Sequence, residues 1–221
     1  MAVRVKICGI TRPEDARTAA RLGADYLGLI LAPSPRRVDP GGLAWLRELR
    51  AEFPAVQWVG VFVKPDPIEM VETADRLALD LLQIHGVEAP TAKVDRPWIM
   101  AVPARSTGSG HALPWELPPP SFEEAGSLRG RVPFGVLLDT PDDRLAGGTG
   151  RVFDWATIPE WSRRVRLFLA GGLAPENVAT AVEQVRPFAV DASSRLERSP
   201  GIKDEARLRS FFAALARVRE E

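Results

Sequence analysis

The feature that most constrains the fold of this chain is a regular alternation of short aliphatic runs with longer segments of helical spacing. Eight runs of three to seven residues, rich in Val, Ile and Leu, have the length and composition of buried strands. They occupy residues 3–7, 26–31, 57–63, 78–84, 98–102, 134–138, 165–169 and 188–190. Because runs that are apolar throughout fit strands covered on both faces, they predict a parallel sheet.

Segments with helical spacing and helix-start signals separate most of these runs. Thr11 is a candidate N-cap for a helix over residues 13–22, and Asp66 precedes a helix over residues 67–77. Further helices are predicted over 40–53 after Asp39, over 175–185 with Pro175 at the first helical position, and over 203–218. Strands and helices in alternation form right-handed βαβ units, and eight strands within 221 residues predict a (β/α)8 barrel, the parallel eight-stranded TIM barrel.

Composition excludes several classes of function. Lys+Arg and Asp+Glu both number 29, so the charge balance gives no support for a nucleic-acid or anionic-membrane partner. A single cysteine excludes an internal disulfide, and with only two histidines we expect no metal site. No apolar run approaches the roughly 18–20 residues that span a bilayer. Residues 1–4 show no secretory signal pattern, so we expect a cytoplasmic protein.

Residues 103–133 have the weakest pattern in the chain. They contain Arg-Ser-Thr-Gly-Ser-Gly at 105–110 and three successive prolines at 118–120. We interpret this segment as a flexible loop with one short helix near residues 121–128. A linker between two domains is the alternative, but neither side of it would hold a complete sheet. We therefore predict a single domain over residues 1–221.

Small residues gather after the last three predicted strands, at the end of the barrel where active sites lie. The segments are Gly147-Gly148-Thr149-Gly150, Gly171-Gly172 and Ser193-Ser194. Glycine lets backbone N–H groups approach an anion closely, helix N-termini add a positive dipole, and serine hydroxyls can donate hydrogen bonds. Phosphate sites after strands seven and eight recur in this fold, so the pattern predicts a phosphate site. Tight turns without a ligand are the alternative interpretation.

Strand parity places two reactive side chains at one opening of the barrel. If Val5 and Ile7 meet the helices, Lys6 and Cys8 face the interior, and the same rule puts Asp139 inside at the end of the sixth strand. A modestly stabilised thiolate can act as a base, and a carboxylic acid with a raised pKa can act as an acid. The pair therefore suits a 1,2 proton shift in a sugar. A buried core cysteine and a helix-capping carboxylate are the alternatives.

These residues belong to a series of motifs that resembles one enzyme family. Val5-Lys6-Ile7-Cys8-Gly9-Ile10-Thr11 is similar to the opening motif of the phosphoribosylanthranilate isomerases of tryptophan biosynthesis. The resemblance continues in order along nearly the whole chain, through Gly23-Ala24-Asp25, Ser34-Pro35-Arg36, Val59-Gly60-Val61-Phe62, Leu82-Gln83-Ile84-His85-Gly86, Leu137-Leu138-Asp139-Thr140, Gly147-Gly148-Thr149-Gly150, Phe153-Asp154-Trp155, Ala170-Gly171-Gly172-Leu173, Pro175-Glu176-Asn177-Val178, Val190-Asp191, Ser193-Ser194, Pro200-Gly201 and Lys203-Asp204. Together the opening motif and the glycine loops are highly specific.

The resemblance implies an Amadori rearrangement of N-(5-phosphoribosyl)anthranilate to 1-(2-carboxyphenylamino)-1-deoxyribulose 5-phosphate, with no metal and no organic cofactor. It assigns Asp139 as the general acid that protonates the furanose ring oxygen, and Cys8 as the general base that removes the C2′ proton. Arg36 matches the position that binds the anthranilate carboxylate, although the adjacent Arg37 could take that role. The phosphate is expected against Gly148, Gly150, Gly171, Gly172, Ser193 and Ser194.

Three further residues have expected roles at this end of the barrel. Asp191 lies on the eighth predicted strand, and we expect it to pair with Lys6 and offset that buried charge. His85 is interpreted as a hydrogen-bonded structural histidine. Arg195 departs from the family pattern, which commonly has glycine there, and it either adds charge near the phosphate or faces solvent.

Two other functions remain open from the sequence, and so does the oligomeric state. One is a related barrel isomerase acting on a bisphosphorylated aminoaldose, a group that has a carboxylate where Cys8 stands. The other is a catalytically silent barrel that binds phosphate. Both share a small-molecule ligand with the leading interpretation. Nothing in the sequence separates a monomer from a homodimer.

Overall fold

The computed structural model of the chain describes residues 2–86, 95–103, 133–139, 155, 158 and 160–219. Eight parallel strands close into a barrel in sequence order, which confirms the predicted fold. They are β1 (Arg4–Cys8), β2 (Tyr26–Ile30), β3 (Gln57–Val63), β4 (Leu81–His85), β5 (Trp98–Pro103), β6 (Gly135–Asp139), β7 (Leu167–Ala170) and β8 (Ala189–Ala192). Each strand overlaps one predicted run, and β3 has the predicted bounds.

Helices and one small hairpin complete the described part of the chain. The helices are α1 (Pro13–Arg21), α2 (Leu46–Glu52), α3 (Pro67–Arg76), α4 (Val178–Val185) and α5 (Glu205–Arg219). Short 3-10 helices occupy Pro40–Gly42, Glu160–Arg164 and Ser194–Leu196. After the barrel closes, β9 (Glu197–Ser199) and β10 (Ile202–Lys203) pair antiparallel, a hairpin that the sequence analysis missed.

Helix starts were predicted less well than strands. Asp66 does cap α3, because its carboxylate accepts hydrogen bonds from the backbone of Ile68 and Glu69 at 2.9 and 3.0 Å. Thr11, however, is not the cap of α1: Arg12 holds that position, and its side chain makes no capping hydrogen bond to the helix backbone. The Thr11 hydroxyl instead donates to the carbonyl of Gly201 in the hairpin. A tertiary contact thus outcompetes the local one.

Two further helix boundaries correct the predictions. The segment expected to be helical over 40–53 begins as a 3-10 turn, and α2 starts only at Leu46, since Gly41 and Gly42 are poor helix formers. Helix α4 after β7 begins at Val178, so Pro175 is not its first residue. Asn177 closes a turn before α4, because its Oδ1 accepts a hydrogen bond of 2.8 Å from the backbone N–H of Ala174.

The barrel has an apolar interior at one level and polar side chains toward the carboxyl ends of its strands. Val5 and Ile7 pack in the outer core with residues of the helices, as parity predicts. The apolar interior cluster contains Tyr26, Val59, Leu81, Ile99, Ala101, Leu137, Phe168, Ala170 and Ala189. Lys6, Cys8 and Asp191 are buried polar side chains of β1 and β8. These polar side chains lie toward the carboxyl-terminal mouth, the end at which active sites lie in barrels of this kind.

Several predictions fall outside the described residues. They are the loop and short helix within 104–132, and the glycine segment that contains Gly148 and Gly150. Within the described part of the chain, every helix is too short or too polar to cross a membrane.

Candidate active site

Cys8 is the last residue of β1 and lies at the barrel mouth, with 7% of its surface exposed. Its neighbour across the sheet is Gly28 on β2. A Cβ atom at position 28 would lie 2.8 Å from the Cys8 Sγ and 3.2 Å from the Lys6 Nζ. The glycine therefore provides the space in which the thiol and the ammonium group sit side by side. The sequence analysis did not identify Gly28, because a strand glycine carries no signal of what approaches it.

Lys6 and Asp191 form a buried ion pair beneath the thiol. They are register partners on β1 and β8, and the Nζ lies 2.7 Å from Oδ2. This contact confirms the predicted pairing. Burial works to lower the pKa of Lys6, but the charges of Asp191 and Cys8 outweigh it, and the net pKa is raised. Lys6 therefore stays cationic next to Cys8.

The pKa of Cys8 is raised above its ordinary value. Burial is the main cause and the charge of Asp191 adds to it, whereas the Lys6 ammonium acts in the opposite direction. The thiol is therefore protonated at neutral pH. This finding differs from the expectation of a modestly stabilised thiolate, because desolvation outweighs the neighbouring cation.

Asp139 is the last residue of β6 and opens to the same mouth. Its register partners are Pro103 on β5 and Ala170 on β7. The residue is exposed at the mouth, but the barrel wall partly desolvates its carboxyl and raises its pKa. The charge of Asp191 raises the pKa further, against a smaller effect of Lys6. A raised pKa is what a carboxylic acid needs to donate a proton near neutrality.

Arg36 lies against the end of β1, whereas the adjacent Arg37 is exposed. The chain leaves Cys8 through Gly9, whose φ is +75°, a value that favours glycine. A Cβ atom there would lie 2.9 Å from the Arg36 Cδ and 3.1 Å from the Ser193 Oγ. The loops after β1, β2 and β8 therefore meet at Gly9, and it is Arg36 that reaches this point.

The loops after β7 and β8 contain the described residues of the predicted phosphate site, and both loops turn sharply. Gly171 and Gly172 have φ values of +90° and +64°. The Asn177 side-chain amide donates a hydrogen bond of 3.1 Å to the carbonyl of Gly172, which fixes this turn. Ser194 starts the 3-10 helix that follows Ser193. Asn177 was part of a recognised motif, but the sequence did not reveal its role.

The two serines differ in what they offer a ligand. The Ser193 hydroxyl donates to the carbonyl of Cys8 at 3.0 Å, so its hydrogen is already used within the protein. Any contact from Ser193 to an anion then comes from its backbone N–H. Ser194 is exposed. Gly148 and Gly150 lie outside the described residues.

Arg195 is half-buried, so its side chain does not simply face solvent. Its Nε is buried and has no hydrogen-bond partner among the described residues. Its carbonyl accepts a hydrogen bond from the Arg207 Nε on α5, so the eighth loop is tied to the last helix.

His85 at the end of β4 fits the structural interpretation. A hydrogen bond of 2.9 Å joins its Nε2 to the Nε2 of Gln83. Burial, with a contribution from the charge of Lys6, lowers the pKa of His85 to about 4. The ring is therefore neutral at physiological pH. The described residues contain no group of three or more His, Cys, Asp or Glu side chains that could hold a metal ion.

Residues 5–214 match the sequence model of a family described as N-(5'phosphoribosyl)anthranilate (PRA) isomerase. The chain belongs to the phosphoribosylanthranilate isomerase family. Among its curated relatives, the N-(5'-phosphoribosyl)anthranilate isomerase of Pseudomonas aeruginosa is 43% identical over 228 residues, covering 100% of this chain and 99% of that protein. The isomerase of Pseudomonas syringae pv. syringae is 42% identical over 97% of this chain and 98% of its own length.

Solved structures of phosphoribosylanthranilate isomerases share the fold over the whole barrel. The Thermotoga maritima enzyme is 36% identical with a TM-score of 0.72, covering 97% of this chain and 98% of that one. Another structure, 34% identical with a TM-score of 0.70 and covering 97% and 98%, is a complex with reduced 1-(o-carboxyphenylamino)-1-deoxyribulose 5-phosphate. A 3-hexulose-6-phosphate synthase from Salmonella typhimurium, 14% identical with a TM-score of 0.58 over 97% and 99%, shares the fold alone.

Proposed function

We propose that this phosphoribosylanthranilate isomerase converts N-(5-phosphoribosyl)anthranilate to 1-(2-carboxyphenylamino)-1-deoxyribulose 5-phosphate, in tryptophan biosynthesis, with Cys8 and Asp139 as its proton-transfer groups. The observation that carries the assignment of these roles is that a thiol on β1 and a carboxyl with a raised pKa on β6 open to one mouth. The family membership supports the same reaction.

Asp139 is the general acid of the first step. In its protonated form it donates the proton to the furanose ring oxygen, and the C1′–O bond breaks as the nitrogen lone pair forms a C1′=N double bond. The product of this step is a cationic Schiff base beside a carboxylate. The raised pKa of Asp139 supports this role, because it increases the protonated fraction of the free enzyme.

Cys8 is the general base of the second step and removes the proton from C2′. The electrons of the C2′–H bond form a C1′=C2′ double bond while the π electrons of the C1′=N bond move onto the nitrogen, and the resulting enolamine tautomerises to the ketone. Burial raises the pKa of the Cys8 thiol in the free protein. The thiol must first lose its proton to solvent. The Schiff-base cation adds a second positive charge beside Lys6, and both charges favour this loss and stabilise the thiolate that then acts as the base. No step of this mechanism uses a metal or an organic cofactor.

Arg36 is proposed to bind the anthranilate carboxylate, because it lies against the loop after Cys8 while Arg37 is exposed. A guanidinium suits a carboxylate through paired N–H donors. The phosphate is proposed to bind against the backbone of Gly171, Gly172, Ser193 and Ser194, together with Gly148 and Gly150.

Further proposals concern the domain organisation, the location and the oligomeric state of the enzyme. Residues 1–221 form one isomerase domain, supported by the family match over residues 5–214. A cytoplasmic location is the one expected for an enzyme of amino-acid biosynthesis. The Thermotoga maritima relative is dimeric, and for this chain a sedimentation experiment decides between a monomer and a homodimer.

The test is a turnover assay that follows the loss of anthranilate fluorescence from freshly generated substrate. We expect conversion by the natural protein, and a loss of kcat by orders of magnitude in Cys8→Ala and in Asp139→Asn with the thermal melt preserved. Arg37→Met is the control that should retain activity. Ligand binding without product in the natural protein would support the silent barrel, and full turnover in either variant would refute its assigned role.

A further inference from the structure

The hairpin β9–β10 brings a buried acid between two cations beside the active site. The Glu197 side chain is 3% exposed, and that of Lys203 is 0% exposed. The third member, Arg36, is 22% exposed and comes from the loop after β2. Neither Glu197 nor Lys203 has a role in the mechanism above, although burying charged groups is costly unless they are paired.

Glu197 holds the guanidinium of Arg36 along one edge. The Arg36 Nε donates to both carboxylate oxygens at 2.9 Å, and Nη2 lies 2.8 Å from Oε2. This side-on contact uses Nε and one hydrogen of Nη2. The other edge of the guanidinium, formed by Nη1 and the second hydrogen of Nη2, can donate paired hydrogen bonds to a second carboxylate.

Lys203 connects the same acid to the catalytic strand. Its ammonium lies 2.9 Å from Glu197 Oε1, 2.6 Å from the carbonyl oxygen of Cys8 and 3.3 Å from that of Ser193. These three acceptors match the three N–H donors of a lysine. The backbone of the general base, the eighth loop and the Arg36 anchor are thus joined through one buried group.

The charged side chains of this cluster sum to one net positive charge. Glu197 carries one negative charge and Arg36 one positive charge. Lys203 adds a second positive charge, because its contact with Glu197 favours the ammonium although burial lowers its pKa. Burial alone would raise the pKa of Glu197, but the two cations outweigh it and the pKa is lowered, so the acid stays ionised. A substrate carboxylate on Arg36 would neutralise the cluster, which gives the mouth a preference for an anionic group.

We propose that Glu197 is a positioning residue for substrate selection: it fixes Arg36 so that the free edge of the guanidinium meets the carboxylate of the aromatic ring. Lys203 is its counterion and ties that orientation to the backbone of Cys8. This proposal rests on the proposed function, since it names how that same site selects its substrate. The alternative is that Glu197 and Lys203 only stabilise the hairpin and the fold.

The test compares two ligands in four proteins and one control variant. The ligands are reduced 1-(o-carboxyphenylamino)-1-deoxyribulose 5-phosphate and the same compound without its ring carboxylate. The proteins are the natural chain, Glu197→Gln, Arg36→Met and the double variant. Glu52→Gln is the matched control, because it removes a surface carboxylate that pairs with Arg17 and Arg21.

We expect Glu197→Gln to weaken binding of the carboxylate ligand by about tenfold to a hundredfold, the range of hydrogen bonds to charged groups. Binding of the ligand without carboxylate should change by less than about twofold, below the effect of one neutral hydrogen bond. In the Arg36→Met background, the effect of Glu197→Gln on the carboxylate ligand should disappear, because the two residues act as one unit. In turnover, KM should rise more than kcat falls.

Equal weakening of both ligands, or penalties that add in the double variant, would show a structural role and overturn the proposal. If Glu197→Gln does not fold, Glu197→Asp takes its place, since it keeps the charge but withdraws it from Arg36, and the same ligand selectivity is required. Turnover by the natural chain is measured in parallel. Its absence would refute the proposed function, whereas intact turnover with no ligand selectivity in the variant would refute only the positioning role.

Discussion

Replacing Gly28 by alanine adds one methyl group beside the general base and tests whether the close approach at this position matters for catalysis. The new Cβ would lie 2.8 Å from the Cys8 Sγ, 3.1 Å from the Cys8 Cα and 3.2 Å from the Lys6 Nζ. Unstrained contacts between heavy atoms lie near 3.5–4.0 Å, so the thiol must move by about 0.7–1.2 Å or the strands must separate. The Cα of Cys8 cannot yield by rotation, so the strain also reaches the backbone.

Two magnitudes follow from this clash. Overpacking of a filled interior costs about 1–3 kcal/mol of unfolding free energy. A displacement of about 1 Å at a reacting group can cost about a hundredfold in rate. We therefore expect Gly28→Ala to fold with a lowered thermal melt and to lose kcat by one to two orders of magnitude, about tenfold to a hundredfold.

Gly42→Ala is the matched control, because a Cβ atom there meets nothing within 4 Å. It should keep both the melt and kcat close to those of the natural chain. The assays are thermal denaturation followed by circular dichroism and single-turnover loss of anthranilate fluorescence. A Gly28→Ala protein with unchanged kcat would refute the claim that the thiol position is fixed by this glycine.

Three other outcomes follow from the same geometry. The pKa values of Asp139 and Cys8 are both raised, and the reaction requires the acid protonated and the base ionised, so kcat/KM should rise with pH through the pKa of Asp139 and fall above that of Cys8. Cys8→Ser, whose hydroxyl does not ionise in this range, should remove the falling limb of the pH profile, and an unmoved limb would contradict the assignment. Arg36→Met should raise KM by about tenfold or more while Arg37→Met leaves it unchanged, and equal effects in substrate titrations would remove Arg36 from the carboxylate site. Asp66→Ala should lower the unfolding free energy by about 0.5–2 kcal/mol in urea denaturation without changing kcat, since it removes only the cap of α3; a loss of kcat would show that this cap supports the site.

The barrel itself was predictable because strand signals are dense and redundant. Eight apolar runs, each with the same character, leave few alternative topologies, and alternation within β1 places Lys6 and Cys8 on the interior face without any tertiary information. The pairing of Lys6 with Asp191 followed from the same parity on β8. Local periodicity determines these features, so the sequence carries them directly.

The site depends on contacts that no local pattern encodes. Thr11 has the composition of a helix cap, but its hydroxyl is used by Gly201 in a distant hairpin. Glu197 and Lys203 lie in a polar stretch that resembles a solvated surface, and only the fold buries them against Arg36. The direction of the Cys8 pKa shift likewise depends on the balance between burial and Lys6, which requires coordinates.

The most direct test of the mechanism uses substrate that carries deuterium at C2′ in single-turnover assays of the natural chain and of Cys8→Ala. The account predicts that deuterium slows the natural protein, because C2′–H cleavage is a chemical step of the reaction. It also predicts that Cys8→Ala forms no product on the same timescale. Product formation by Cys8→Ala at the rate of the natural chain would contradict the assignment of that thiol as the base.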